Sequence, residues 1–341
     1  MLLALFLLTQ SPAQSAPEFG RRLEAIRTEL GIPGMAAAIA RDGRVVWTQS
    51  FGLADVENGK PVTDTTAFHL ASLTKAFAAV VLLRLVDSGL VSLDDPISKY
   101  GVTLTGSSSD AVKVRHVFSM TSDGPVPGER YQYSGNRYTA LERVIRQASG
   151  RSFAELARDW IIRPLGLSRT APNVADSAFR VMGLDEGAYR AAMAKGYNVV
   201  EGRVTPGNYP AYFGVSAGMI STPSDVVRFA QALGAGKLLS TRMRELMFTP
   251  ARTSTGAVLP YAFGCFSQVY RGVRVIWSYG LWNSISALLI HLPERGVSLA
   301  VLANADRLSM PYSLGNGTLL NSPVAREFLE AFAWSSQARL P

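Results

Sequence analysis

Apolar residues fall at helical spacing in residues 18–30, where Leu23, Ile26 and Leu30 line one face before Gly31-Ile32-Pro33-Gly34 closes the segment. The period then shortens. Residues 35–40 and 44–49 read as two strands, and the Asp42-Gly43 pair between them predicts a hairpin. Residues 51–64 are polar and irregular. A long helix rich in Ala, Val and Leu is predicted over residues 76–90, stopped at Asp87-Ser88-Gly89. Residues 93–97 form a turn into a short helix, and residues 114–120 form another. Helical spacing returns in residues 137–148 and 153–162. It returns again in 226–233, behind the capped start Thr222-Pro223-Ser224-Asp225. From Tyr261 the pattern is that of strands, at 264–270, 273–279, 285–292 and 297–302, and residues 324–334 end the chain on a helical pattern. Strands near both termini with helices between them predict an α/β (α+β) fold. One antiparallel sheet is built from the two ends and flanked by helices, with an inserted, mostly helical lobe. We place the sheet lobe at about 16–70 and 258–341 and the helical lobe at about 71–257 of a single domain. A cleft between two such parts suits a small-molecule site.

With 341 residues, 48% hydrophobic and 18% charged, the chain has the composition of a globular protein with a sizeable core, not of a disordered or coiled-coil one. The net charge of +8 is scattered, with no basic run longer than Arg21-Arg22 and no basic–aromatic interleaving, so nucleic acid is not the expected partner. The single cysteine, Cys265, rules out an internal disulfide and sits in an alternating apolar stretch, as a core residue does. His69, His116 and His291 show no metal-ligand spacing, and no metal or organic cofactor is expected. Residues 1–8 are an apolar run followed by Ala13-Gln14-Ser15-Ala16. That pattern reads as a secretory leader cut after Ser15 and implies a periplasmic or secreted protein of a bacterial envelope. The basic residues that open such leaders are missing from it. No segment reaches the ~18 uninterrupted apolar residues of a membrane span.

The chemistry centres on Ser72 and Lys75, three apart at the head of the apolar helix and therefore on one face of it. A helix N-terminus adds free N–H groups and a positive dipole end, so this serine has both a cation and oxyanion donors beside it. An N-cap serine with an incidental lysine is the alternative. It must explain an ammonium in an apolar segment, which costs several kcal/mol when unpaired (on the order of a fold's net stability). Two further stretches stand out: Tyr131-Gln132-Tyr133-Ser134-Gly135-Asn136, a loop entering a helix, and Trp277-Ser278-Tyr279-Gly280-Leu281, at the end of a strand.

In this order, Ser72/Lys75, Tyr133 and then a glycine-containing strand, the chain resembles the serine β-lactamase and penicillin-binding protein superfamily. The resemblance is closer to the branch of class C β-lactamases, D-alanyl-D-alanine carboxypeptidases and family VIII carboxylesterases. It covers roughly residues 18 to 335 and is supported by Val114-Arg115-His116-Val117, Arg163-Pro164-Leu165-Gly166-Leu167, Ala217-Gly218-Met219-Ile220-Ser221-Thr222 and the run from Leu292 to Asn304. The resemblance implies that Ser72 is the acylated nucleophile, and that Lys75 holds its hydroxyl and shares a proton with Tyr133. An adjacent ammonium favours a phenolate, so Tyr133 is expected to act as general base and then as acid to the leaving group. The oxyanion hole would be the N–H groups of Ser72 and Leu281, with Gly280 letting the substrate close to the strand edge.

Two departures bear on the substrate. Members that hydrolyse β-lactams well usually carry Tyr-x-Asn, where this chain has Gly135 and moves its asparagine to Asn136. They also carry Lys or His where this chain has Ser278. Losing that cation removes a contact to a substrate carboxylate worth about 1.5–3 kcal/mol. We therefore expect a serine hydrolase of small-molecule esters with short acyl chains. The alternative within the fold is a D-Ala-D-Ala carboxypeptidase or class C-like β-lactamase acting on an amide or β-lactam, and outside catalysis a peptidoglycan- or partner-binding member. Trp282, Tyr279 and Tyr131 are candidates to line an acyl or alcohol pocket, or simply core residues. Gly214-Val215-Ser216-Ala217-Gly218 fits the nucleophile-elbow pattern of another hydrolase fold, but that elbow needs a downstream acid and histidine, the only downstream histidine is His291 inside a predicted strand, and Ser216 is not expected to be catalytic. Ser122-Asp123-Gly124 resembles the Ser-Asp-Asn motif of other β-lactamase classes, a role Tyr133 already fills.

Overall fold

The computed structural model describes residues 16–105, 110–208 and 211–334. The expected leader, residues 1–15, lies outside the described residues. In chain order the strands are β1 (Gly34–Arg41), β2 (Arg44–Asp55), β3 (Lys60–Pro61), β4 (Phe68–His69), β5 (Tyr197–Val200), β6 (Arg203–Pro206), β7 (Ile220–Ser221), β8 (Phe266–Tyr270), β9 (Val273–Trp282), β10 (Ile285–Leu292) and β11 (Val297–Ala303). Seven of them form one antiparallel sheet in the order β3-β2-β1-β11-β10-β9-β8. The seam between the two chain ends is β1 against β11, from Met35 opposite Ala303 to Arg41 opposite Val297. Every residue of β10 and β11, and all of β1 but Arg41, is buried. Since successive side chains point to opposite faces, both faces of these strands are covered. The terminal helices Ala16–Glu29 and Pro323–Phe332 pack together through Phe19, Phe328 and Phe332, while Pro223–Gly234 lies against β1 and β11.

The helix Thr74–Asp87 is buried over most of its circumference, as expected from a segment that is apolar all round. Its Phe77 stacks on Phe229 with ring centroids 3.9 Å apart. Ser88 and Gly89, the latter at φ +76°, end it where the sequence stops being apolar.

Several elements differ from the sequence expectation. Residues 51–55 read as irregular, but β2 runs on to Asp55 because β1 pairs with Phe51 and Gly52 and the short strand β3 with Leu53 and Asp55. The helix at 137–148 is two pieces, Gly135–Tyr138 and Ala140–Ser149. The one at 153–162 changes after Ala157 into a wider π turn over Arg158–Ile162. Local pattern did not predict the β5–β6 hairpin, the helices Glu186–Ala192 and Thr241–Phe248, or the short 3-10 turns between Asp306 and Asn321. Cys265 is buried, as expected, and its thiol is pushed well above its ordinary pKa by burial.

Candidate active site

Ser72 sits in a one-turn 3-10 segment, Ala71–Leu73, between the short strand β4 and the helix Thr74–Asp87. The turn requires Ala71 at φ +45°, a left-handed conformation that costs a residue with a Cβ about 1–3 kcal/mol. Several hydrogen bonds hold it there. His69 Nδ1 accepts from the Ala71 N–H (2.9 Å), and Thr74 Oγ1 donates to the Ala71 carbonyl (2.7 Å). The Leu70 N–H donates to the Met219 carbonyl (2.7 Å) and the Met219 N–H to Thr74 Oγ1 (3.1 Å). Burial lowers the His69 pKa to about 3, and its acceptor role at Nδ1 places the proton on Nε2. His69 is thus a neutral brace for the turn.

Lys75, only 1% exposed, reaches back along the helix face. Its Nζ lies 2.9 Å from Ser72 Oγ and donates to the Ser216 carbonyl at 2.7 Å. It also lies 5.2 Å from the centroid of the Tyr133 ring and 5.4 Å from that of Tyr138. Burial, with no carboxylate acting against it among the described residues, lowers its pKa from 10.5 to about 7. The cost of a buried ammonium is met by pushing the amine towards neutrality rather than by an ion pair.

Tyr133 precedes the turn Gly135–Tyr138, whose N-cap Ser134 accepts from the Arg137 N–H. Its ring packs against Tyr261 (6.1 Å) and Tyr279 (5.4 Å), and its hydroxyl is hydrogen-bonded with Ser72 and Tyr279. Burial raises it to about 12, the two hydrogen bonds acting in the opposite sense. This runs against the expected phenolate, because the amine beside it is driven neutral and burial disfavours the phenolate too.

The third wall is β9. Strand β8 pairs with it only from Val273 to Trp277, while β10 follows it to Trp282, so the stretch from Ser278 to Trp282 has no β8 partner. Gly280 meets the Ser72 turn closely: a Cβ on it would lie 2.1 Å from the Leu70 carbonyl oxygen. Packing of strand on turn thus already demands the glycine, which the sequence reading had tied to substrate approach. Ser278 is buried and its hydroxyl donates weakly to the Gly264 carbonyl (3.4 Å). Tyr279 is buried, whereas Leu281 and Trp282 are half-buried. Trp282 stands edge-on to His69 (6.4 Å) and tilted to Tyr212 (6.1 Å). Tyr131 donates to the Gly315 carbonyl (2.6 Å), tying the turn Leu314–Asn316 over the Tyr133–Tyr279 pair.

A Cβ on Gly135 would meet only Lys75 Nζ, at 3.9 Å, so this departure leaves open space where a side chain would touch the amine. Asn136 is exposed. Ser72, Lys75, Tyr133, Gly135, Tyr279 and Gly280 therefore share one neighbourhood, and Asn136 stands at its outside. Sequence reasoning dismissed Ser216 as a hydroxyl and missed its carbonyl, for which no residue type is a signature. Ser122 is an anchor for Arg137, which donates to its hydroxyl (3.1 Å) and carbonyl (2.8 Å). Among the described residues no group of three His, Cys, Asp or Glu could hold a metal ion, and no helix is long and apolar enough to cross a membrane.

An antiparallel sheet closed by both chain ends, with a serine, a buried amine and a tyrosine gathered beside one of its strands, is the arrangement of the penicillin-recognising serine hydrolases. The family model for Beta-lactamase matches residues 19–316, and the chain belongs to that family. It is 26% identical to the Beta-lactamase of Yersinia enterocolitica over 355 residues, covering 86% of this chain and 87% of that one. It is also 26% identical to Penicillin-binding protein 4* of Bacillus subtilis (strain 168) over 309 residues, 78% of this chain and 67% of that one. Among solved structures, a D-stereospecific amidohydrolase from Streptomyces sp. superposes with a TM-score of 0.73 at 24% identity, over 95% of this chain and all of that one, a likeness of fold. The protein is a serine hydrolase of this superfamily.

Proposed function

We propose that this enzyme hydrolyses short-chain carboxylic esters through an acyl-enzyme on Ser72. The observation that carries the reading is the Lys75 amine, 2.9 Å from Ser72 Oγ, buried and poised near pKa 7. In its neutral form the amine takes the Ser72 proton as Oγ bonds to the substrate carbonyl carbon. The N–H groups of Ser72 and Leu281 would receive the oxyanion. Collapse of the tetrahedral intermediate breaks the bond to the alcohol oxygen. The leaving alkoxide takes a proton from the Tyr133 phenol, which the Lys75 ammonium replaces. Water, deprotonated by the same amine, then adds to the acyl carbon; the bond to Ser72 Oγ breaks, Oγ takes the proton back from the Lys75 ammonium, and the acid leaves.

Ester preference rests on Ser278 and Gly135. The Ser278 hydroxyl, facing the Gly264 carbonyl, offers a substrate carboxylate no charge. The open space at Gly135 lacks the amide that β-lactam-hydrolysing members place there. Amide or β-lactam hydrolysis is the second reading, favoured by the names of the relatives. Rates on p-nitrophenyl butyrate, nitrocefin and a D-Ala-D-Ala peptide decide between the two, and nitrocefin turnover faster by several decades would overturn the ester assignment. Fluorophosphonate labelling of wild type and Ser72→Ala tests the nucleophile, with label expected on wild type alone. We also read residues 1–15 as an export leader of an envelope enzyme. A mature N-terminus at Ala16 in the exported fraction is the expected result.

A further inference from the structure

We propose that Glu142 is a positioning residue for the Lys75 amine, acting through the turn at residues 214–217. The inference rests on the reading of Lys75 as the base for Ser72. Gly214 and Ala217 exchange backbone hydrogen bonds (2.9 and 3.3 Å), making Val215 and Ser216 the central pair of a closed turn. The Ser216 carbonyl takes the Lys75 amine at 2.7 Å. On its other side the Val215 N–H donates to Glu142 Oε2 at 3.1 Å. The turn is wedged in place. A Cβ on Gly214 would lie 2.4 Å from the Tyr212 hydroxyl and 3.2 Å from Glu142 Oε2, and the Ser216 hydroxyl donates to the Tyr212 hydroxyl at 3.2 Å.

Glu142 stands on the helix Ala140–Ser149, just after the segment that carries Tyr133, and also receives the Phe153 N–H. One carboxylate therefore ties the Tyr133 segment to the carbonyl that orients Lys75. Burial raises the Glu142 pKa. The backbone hydrogen bonds and Arg146 oppose that shift, and Asp176 adds to it. The groups that face Lys75 are Ser72 on its own turn, Tyr133 and Tyr138 on the neighbouring segment, and the Ser216 carbonyl. With the turn untethered, the amine loses an acceptor that favours its charged form and a contact that keeps it on Ser72 Oγ.

The test compares Glu142→Gln, which keeps an acceptor oxygen, with Glu142→Met, which fills similar volume without one. The readout is the rate of Ser72 acylation by a fluorophosphonate from pH 5 to 9, per active site counted by exhaustive labelling. Glu142→Gln is expected within about 3-fold of wild type. Glu142→Met is expected to lose about 10- to 100-fold, with its acid limb moved down by about one pH unit. A wild-type rate and limb in Glu142→Met overturns the proposal, even if its melting temperature falls. Equal losses in both variants overturn it too. If Glu142→Met does not fold, Glu142→Asp, which withdraws the carboxylate by one methylene, is read by the same criteria. A wild-type enzyme that takes no label overturns the Ser72–Lys75 reading itself and this one with it.

Discussion

Replacing Lys75 by Met is expected to stabilise the protein near neutral pH while abolishing its chemistry. In the unfolded chain the amine titrates near 10.5; in the folded protein it titrates near 7. Between these values the unfolded state holds a proton that the folded state lacks, so stability rises with pH across that window. Below pH 7 the penalty is fully present. At 1.36 kcal/mol per unit, a shift from 10.5 to about 7 amounts to about 5 kcal/mol. Methionine carries no such penalty, but it leaves the buried Ser216 carbonyl without its donor, a loss of about 1–3 kcal/mol. Lys75→Met should therefore be more stable than wild type by about 2–4 kcal/mol at pH 6. Above pH 7 the difference should shrink steadily and reverse sign between about pH 8 and 10. Urea unfolding of both proteins at pH 6, 8 and 9.5 measures it, because every other titrating group is common to the two. Loss of fluorophosphonate labelling in the variant checks the catalytic half. A stability difference that stays constant from pH 6 to 9.5 would refute the reasoning, since an amine unperturbed by burial gives no such slope.

Three further outcomes are expected. Gly280→Ala places a Cβ 2.1 Å from the Leu70 carbonyl, so β9 and the Ser72 turn must part by about 1 Å; turnover should fall about 100-fold, with a smaller loss of thermal stability. Tyr133→Phe should lower ester turnover by about two orders of magnitude or more with the fold intact, and near-normal rates would remove the phenol from the proton path. Ser278→Lys should improve kcat/KM for carboxylate-bearing substrates over neutral esters by about tenfold or more, measured with paired substrates that differ only in the carboxylate.

The pairing of Ser72 with Lys75 was legible because it is local: three residues along a helical turn bring two side chains to one face in almost any surroundings. The hairpin at Asp42-Gly43 and the strands of the C-terminal half were legible for the same kind of reason, since turn chemistry and side-chain alternation act over a few residues. The end of β2 was not, because residues 51–55 become a strand only once β1 and β3 lie beside them. Glu142 was not legible either. On its helix it reads as a polar position, and only the fold brings the Val215 N–H to its carboxylate.

By itself, the sequence determined which groups were available: a serine and an amine one helical turn apart, a tyrosine ahead of a helix, and a strand whose glycine leaves room for a neighbour. Tertiary structure alone decided their chemistry. The pKa of Lys75 and Tyr133 depends on how much water reaches them, and that is set by strands and turns more than a hundred residues away in the chain. Burial drives the amine towards neutrality and the phenol away from ionisation, reversing the proton assignment that adjacency suggested. The carbonyl of Ser216 and the left-handed backbone at Ala71 belong to no residue type and exist only once the chain has closed around them.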